Sequence, residues 1–223
     1  MPLSTEAQIA STVRRFQGPS LDAVLCALIV IDMQVGFLDP GEPAAVAGAL
    51  AIVPRINRIA GALRSVGGTV AFTRHSIDDD TARALPSWER ALIPESIATR
   101  FVPGAASHAL HPDLELKPRD LIVDKYRYSA LAGRSSTLDA DLRLRGIETL
   151  IIVGTMTNVC CESTARDGHS LDYRTLFISD ATATETREAQ SASLATLGSF
   201  FAHVLSSDDL VAILATKPQI RRS

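Results

Sequence analysis

Cysteine is scarce in this sequence, and long apolar runs are absent. The 223 residues include three cysteines, Cys26, Cys160 and Cys161. They cannot form a paired disulfide framework, because a bridge between the two adjacent ones would close a strained ring. The apolar runs are too short to cross a bilayer, and residues 1–7 lack the features of a secretory signal. We therefore expect a soluble, cytoplasmic protein with reduced thiols and no membrane partner.

Basic clusters and glycine-rich phosphate motifs are also lacking. The formal net charge is −3, and the visible basic pair, Arg221 and Arg222, lies at the end of the chain. We therefore expect no nucleic-acid partner. No stretch matches Gly-x-Gly-x-x-Gly, and Gly67-Gly68 is typical of a turn. These absences argue against a dinucleotide or phosphate site, and we expect no cofactor.

The patterns that are present predict an α/β protein. Hydrophobic residues make up 46% and charged residues 21% of the chain, as in ordinary globular domains. Apolar runs predict strands at 26–31, 69–73, 121–124, 149–153, 175–179 and 200–205. Periodicity and capping residues predict helices at 5–16, 50–63, 187–199 and 207–214, a helix at 138–144 capped by 135–137, and a helix from Val159 to Gly168.

Strands that alternate with helices predict a three-layer α/β/α, Rossmann-like fold with a six-stranded parallel sheet. Because no repeat, low-complexity tract or linker divides the chain, we expect a single domain over residues 1–223. Its core would span about 24–214, preceded by the helix at 5–16. Residues 76–118 are rich in proline and predict a long surface excursion. Trp88 lies there, and we expect it either to anchor a lid or to pack in the core.

A cysteine follows the fourth predicted strand in a position that suits chemistry. Gly154 is expected to end that strand, and Thr155, Thr157 and Asn158 can cap a helix that begins at Val159. Cys160 would then lie in the first helical turn, where backbone N–H groups and the helix dipole stabilise a thiolate. The ordinary alternative is a small buried thiol.

Two other strand ends supply partners for this thiol. Asp32 follows six apolar residues, a costly position for a carboxylate that does not face a cleft. Lys125 follows the third strand. In an open α/β sheet these strand ends can meet at the switch in strand order, so that a carboxylate and an ammonium group would support the thiol. Taken singly, Asp32 has the alternative of a helix cap and Lys125 that of a solvated surface residue.

Three segments in the expected order and spacing resemble the motifs of a known family. They are residues 29–34 (Ile-Val-Ile-Asp-Met-Gln), 125–130 (Lys-Tyr-Arg-Tyr-Ser-Ala) and 154–167 (Gly-Thr-Met-Thr-Asn-Val-Cys-Cys-Glu-Ser-Thr-Ala-Arg-Asp). They resemble the isochorismatase-like cysteine hydrolases, over about residues 24 to 214. Within that family the sequence is similar to the ureidoacrylate, N-carbamoylsarcosine and biuret type of amidohydrolase.

The resemblance implies a catalytic triad of Asp32, Lys125 and Cys160. It further implies a non-proline cis peptide at Thr155–Met156 and an oxyanion hole formed by the backbone N–H groups of Met156 and Cys160. The implied reaction cleaves a C–N bond of a small amide or carbamoyl (ureido) substrate through a thioester and releases ammonia or an amine. The family's usual assembly implies a homodimer or homotetramer.

The substrate-binding and metal-binding residues are less well defined. Nearness in sequence to the triad suggests that Gln34, Phe37, Tyr128 and Met156 line the pocket, with ordinary loop packing as the alternative. The nicotinamidases of the family carry a metal site with a pattern like Asp-Trp-His after the second strand. Residues 73–80 do not match that pattern, so we expect no metal and a structural, hydrogen-bonded role for His75.

Several alternatives remain open at this point. Cys161 rather than Cys160 can be the nucleophile, although the motif assigns that role to Cys160 and core packing to Cys161. The chain can also be a vinyl-ether hydrolase of the isochorismatase type, which needs no thiol, or a catalytically silent binding protein of the same fold. Whether residues 76–118 close over the site is not decided by the sequence.

Overall fold

Within residues 21–79 and 84–216, which the computed structural model describes, six parallel strands form one sheet. The strands are β1 (Cys26–Ile31), β2 (Thr69–His75), β3 (Leu121–Lys125), β4 (Thr149–Thr155), β5 (Arg174–Ala183) and β6 (His203–Leu205). They lie in the order β3-β2-β1-β4-β5-β6, and each neighbouring pair is parallel. The predicted helix at 5–16 lies outside the described residues.

Helices cover both faces of this sheet. They are α1 (Val35–Leu38), α2 (Ala49–Ser65), α3 (Ser87–Arg90), α4 (Glu95–Ala98), α5 (Leu138–Leu144), α6 (Glu162–Ser170), α7 (Arg187–Phe200) and α8 (Ser207–Ala215). Helices α2 and α8 pack on one face and α5, α6 and α7 on the other, since alternate residues of a strand point to opposite faces. The predicted three-layer fold is confirmed. In the described ranges, no helix has the length and apolarity to span a membrane.

The strand order reverses between β1 and β4, where the two strands approach each other closely. Ile31 lies opposite Gly154 in the register, and Gly154 has a φ of 113°. A Cβ atom at this position would collide with the Ile31 carbonyl oxygen, so glycine allows the close approach. Gly154 therefore lies inside β4, which ends at Thr155, and does not end the strand as predicted.

Two predicted boundaries at glycine and serine residues differ from the structure. Gly168 does not stop α6, which continues to Ser170. A Cβ at Gly168 would approach Leu150 Cδ1 to 2.8 Å, so the residue is a glycine for packing and not as a helix end. This glycine is needed where the helix packs on β4. The cap of α8 is Ser206, whose side chain accepts the Asp209 N–H, and not Ser207.

Other element ends differ because of tertiary pairing. β5 continues beyond the predicted residue 179, since Thr182 pairs with Gly154 after a register shift. β6 begins at His203, because the residues up to Phe200 belong to α7. Leu144, in the predicted helix at 138–144, is 85% exposed.

The described parts of the proline-rich excursion, residues 76–79 and 84–118, are more ordered than a surface loop. They contain α3, α4 and a 3-10 turn at Ala106–His108, and Leu110 forms an isolated bridge with Gln34. Ile77 and Phe101 are buried and form, with Ala98, a small apolar cluster of their own. Trp88 is 67% exposed, so it does not pack in the core. The excursion therefore contributes a separate packed structure beside the carboxyl ends of β1 and β2.

Candidate active site

Asp32 and Lys125 form an ion pair inside the protein. Asp32 directly follows β1 and adopts a φ of 49°, a left-handed conformation that aspartate tolerates better than most residues. Lys125 Nζ lies 2.8 Å from Asp32 Oδ2, and both side chains are fully buried. The other carboxylate oxygen, Oδ1, accepts a 2.7 Å hydrogen bond from the Thr73 hydroxyl. Asp32 is therefore not a simple helix cap, and Lys125 is not a surface lysine.

The Lys125 ammonium group connects the carboxylate to the thiol. It lies 3.4 Å from Cys160 Sγ and 3.4 Å from His75 Nδ1, and it donates to the Arg127 carbonyl oxygen at 3.0 Å. Burial alone would lower the pKa of Lys125, but the Asp32 carboxylate and Cys160 raise it above its ordinary value. The lysine is therefore charged at neutral pH and can balance the Asp32 charge.

The sheet order corrects one part of the predicted geometry. β3 is not beside β1, because β2 lies between them, and two strand spacings separate them by about 9–10 Å. Lys125 reaches Asp32 past the end of β2. That intervening strand contributes Thr73 to Asp32 and His75 to Lys125.

Cys160 and Cys161 face different surroundings. Both lie in a π-helical turn, Thr157–Cys161, between β4 and α6. Cys160 lines a cavity and contacts Lys125. Cys161 is completely buried in the core, and its sulfur lies 4.0 Å from the Val153 carbonyl oxygen. The Thr155–Met156 peptide bond that precedes this turn is cis.

The predicted stabilisation of a thiolate at Cys160 is wrong for the resting protein. Burial raises the pKa of the Cys160 thiol to about 12; the Lys125 cation opposes this shift, and the Asp32 carboxylate adds to it. The thiol is therefore protonated at neutral pH. A reaction at this sulfur needs a base to take the proton, and Asp32 is the carboxylate in its surroundings.

His75 belongs to the site, although its sequence suggested only a structural role. Its ring is stacked with Tyr128 at 6.2 Å between centroids and lies 6.0 Å from the Phe101 ring, edge-on. Burial and the nearby Lys125 cation lower the pKa of His75 to about 3. Since Nδ1 faces the ammonium donor, the neutral ring carries its proton on Nε2. We call Asp32, His75, Lys125 and Cys160 the polar cluster.

Gln34 supports this cluster from behind and does not line the cavity. Its side-chain oxygen accepts the His75 backbone N–H at 2.7 Å, and its amide nitrogen donates to the carbonyl oxygens of His75 and His108. The residue is fully buried. These bonds hold the end of β2 between the turn after β1 and the 76–118 excursion, so Gln34 is a positioning residue.

A cavity of about 260 Å³ opens above Cys160. The other predicted pocket residues, Phe37, Tyr128 and Met156, line it together with His75. The excursion provides most of the remaining surface, through residues that sequence analysis did not select. We call the part formed by these side chains and Phe37 the apolar wall, and its members are Phe37, Ile77, Ile93, Ile97 and Phe101. Within the described part of the chain, no group of three His, Cys, Asp or Glu residues is placed to hold a metal ion.

Comparison with known proteins gives matches over most of the chain. Residues 26–209 match the isochorismatase domain. The ureidoacrylate amidohydrolase RutB of Stutzerimonas stutzeri (strain A1501) is 34% identical over 211 residues, covering 87% of this chain and 84% of that protein. The same enzyme from Variovorax paradoxus (strain S110) is 33% identical over 213 residues, covering 88% and 84%.

Solved structures agree with the fold. A cysteine hydrolase from Pseudomonas syringae pv. phaseolicola 1448A superposes with a TM-score of 0.80 at 28% identity, covering 89% of this chain and 98% of that chain. An N-carbamoylsarcosine amidase from Thermoplasma acidophilum superposes with a TM-score of 0.67 at 23% identity, covering 82% and 98%. The second likeness supports the three-layer fold alone.

Proposed function

Because this chain belongs to the isochorismatase family and is a hydrolase that acts on C–N bonds, we propose that it is a cysteine-dependent amidohydrolase of small amides or ureides. The observation that carries the proposal is the position of Lys125 Nζ, between Asp32 Oδ2 at 2.8 Å and Cys160 Sγ at 3.4 Å. This arrangement brings a base, a cation and a thiol together, and the thiol lines a cavity.

The first half of the reaction is acylation of the sulfur. Asp32 takes the proton of the Cys160 thiol as the sulfur attacks the carbonyl carbon of the substrate. The S–C bond forms, and the negative charge on the oxygen is held by the backbone N–H groups of Met156 and Cys160. When the C–N bond breaks, Asp32 returns the proton to the leaving ammonia or amine. The product on the enzyme is an acyl or carbamoyl thioester.

The second half is hydrolysis of that thioester. Water attacks the carbonyl carbon with Asp32 as its base, the C–S bond breaks, and the sulfur regains a proton. Lys125 remains charged throughout and balances whichever neighbour, the carboxylate or the thiolate, is negative. This role fits its raised pKa and its contacts with both groups.

Paired cysteine variants test the proposal. Cys160→Ala should lower ammonia release from a panel of small amides and ureides, ureidoacrylate included, by at least about 10³-fold. Cys161→Ala is the matched control and should keep turnover within tenfold of wild type, because its sulfur faces the core. Wild-type turnover by Cys160→Ala would contradict the thioester mechanism. Cleavage of a vinyl ether that survives this substitution would favour the isochorismatase type of reaction.

A further inference from the structure

The described residues that line the cavity above Cys160 are uncharged. Among them, the polar side chains are Cys160, His75 and Tyr128. His75 is neutral, because burial and the Lys125 cation lower its pKa to about 3. The Lys125 ammonium group itself lies behind the cysteine and is paired with Asp32. The described residues of the cavity surface therefore offer no cation to a substrate.

Arg90 and Arg100, the described arginines of the segment that forms the wall, are paired with carboxylates. Arg90 lies 3.0 Å from Asp79 and 2.7 Å from Glu95. Arg100 lies 3.3 Å from Glu42. A substrate carboxylate in the cavity would lose its hydration without gaining a partner from these groups, which is unfavourable for a buried anion.

The volume and lining of the cavity suit a compact apolar group. Two ring pairs belong to the cavity lining. Phe37 and Phe101 are stacked with ring centroids 4.3 Å apart, and Tyr128 is stacked on His75. A cavity of about 150 Å³ lined by apolar side chains takes up benzene. The 260 Å³ present here would by that measure accept about ten non-hydrogen atoms.

From these observations we propose that the cavity selects uncharged amides or ureides with a compact apolar substituent and discriminates against substrates that carry a carboxylate. The proposal rests on the amidohydrolase function proposed above and specifies its substrate class. It also separates this chain from the enzymes that it resembles in sequence, whose name specifies an acrylate. The apolar wall would determine the specificity, and the polar cluster would carry out the reaction.

Binding to the Cys160→Ala protein tests the selectivity without turnover. Benzamide and benzoate differ mainly in charge, and calorimetry should show benzamide binding at least tenfold more tightly. Equal affinities, tighter binding of benzoate, or no binding of either compound would overturn the proposal. A protein that binds benzamide selectively and hydrolyses no amide would instead contradict the proposed function while preserving this inference.

Turnover by wild-type and wall variants gives a second test. The methyl ester of ureidoacrylate should have at least a tenfold higher kcat/KM for ammonia release than ureidoacrylate itself. Ile97 is half-buried in α4 and lines the cavity. Ile97→Lys should therefore lower the ratio of the kcat/KM for the ester to the kcat/KM for the acid at least tenfold. Ile122→Lys, on the exposed side of β3, is the matched control and should leave the ratio unchanged. A wild-type preference for the acid, or equal ratios in the two variants, would overturn the proposal.

Discussion

The polar cluster and the apolar wall meet at one cavity but are built in different ways. Members of the polar cluster follow or end strands of the sheet, so the strand register fixes their separation. The wall comes mostly from the segment between β2 and β3, where short helices and a small separate apolar cluster replace sheet pairing. A rigid sheet suits the positioning of reactive atoms, whereas a connecting segment can change its side chains without disturbing the sheet. The difference suggests that reaction chemistry and substrate choice reside in separate parts of the molecule.

The strongest test of this separation is Asp32→Asn. We expect it to lower turnover by about 10²–10⁴-fold, the usual contribution of a general base. The same change should lower the pKa of the Cys160 thiol below its wild-type value of about 12, because the Asp32 charge raises that pKa while Lys125 opposes it. More thiolate would thus accompany less activity. The thiolate absorbance during a pH titration measures the shift.

The baseline for that titration is the double variant Asp32→Asn/Cys160→Ala, which lacks the sulfur of interest. Binding of benzamide to Asp32→Asn should stay within about threefold of wild type, since Asp32 does not line the cavity. An unchanged pKa of Cys160 would mean that the carboxylate does not act on this thiol. A large loss of benzamide binding would mean that the cluster and the wall are not separable.

The next largest effect concerns the stability of the cluster. Lys125→Met leaves the Asp32 carboxylate buried without its ion-pair partner, and the free energy of unfolding should fall by about 3–5 kcal/mol. Arg58→Met is the matched control, because the side chains of the Arg58–Asp208 pair are 48% and 81% exposed. Its cost should be no more than about 1 kcal/mol. Chemical denaturation measures both.

Removing both charges should reverse much of the loss. In Lys125→Met/Asp32→Asn neither charge of the buried pair remains, so stability should rise above that of Lys125→Met while turnover stays at least as low as in Asp32→Asn. If Lys125→Met were as stable as wild type, the two side chains would not form the buried pair on which the site depends.

The sequence predicted the cluster better than the wall, and the reason is physical. Apolar β-branched runs mark the buried strands, and a polar residue after such a run indicates a strand end. Asp32 and Lys125 were selected by that pattern, and the family resemblance, which is confirmed, gave their joint role. The position of β2 between β1 and β3 was not readable, because parallel connections leave the strand order open. His75 was therefore given only a structural, hydrogen-bonded role, although it ends the strand that separates Asp32 from Lys125.

Apart from Phe37, the wall escaped sequence reasoning because its residues come from a segment that prolines divide into short helices. Ile77, Ile93, Ile97 and Phe101 are scattered among prolines and short helices, so their convergence depends on how the excursion folds back onto α1. The aromatic pair of Phe37 and Phe101 joins segments that are distant in sequence. Gln34 was chosen by its nearness to Asp32, but hydrogen bonds direct its side chain toward the backbone of β2. Nearness in sequence therefore does not determine which face of a turn a side chain occupies.

His75 is the residue where the two regions touch. On one side its Nδ1 lies 3.4 Å from Lys125 Nζ, and on the other its ring meets Tyr128 and Phe101. Its pKa in the folded protein is about 3, below the ordinary value of 6.5. Below pH 6.5 the unfolded chain therefore binds more protons at this residue than the folded chain does. The stability that the neutral ring provides is complete above pH 6.5 and is lost as the pH falls toward 3.

The smallest predicted effect follows from this pH dependence. At pH 5, protonation of His75 in the unfolded chain should reduce the free energy of unfolding by about 2 kcal/mol relative to pH 8. His75→Asn keeps a side-chain acceptor for Lys125 but cannot titrate. Between pH 8 and pH 5 its free energy of unfolding should therefore fall by about 2 kcal/mol less than that of the wild type. Denaturant titrations of both proteins at pH 8 and pH 5 provide the comparison. Parallel pH dependences would show that the ring can take a proton in the folded state, which a histidine held between a buried cation and an apolar wall should resist.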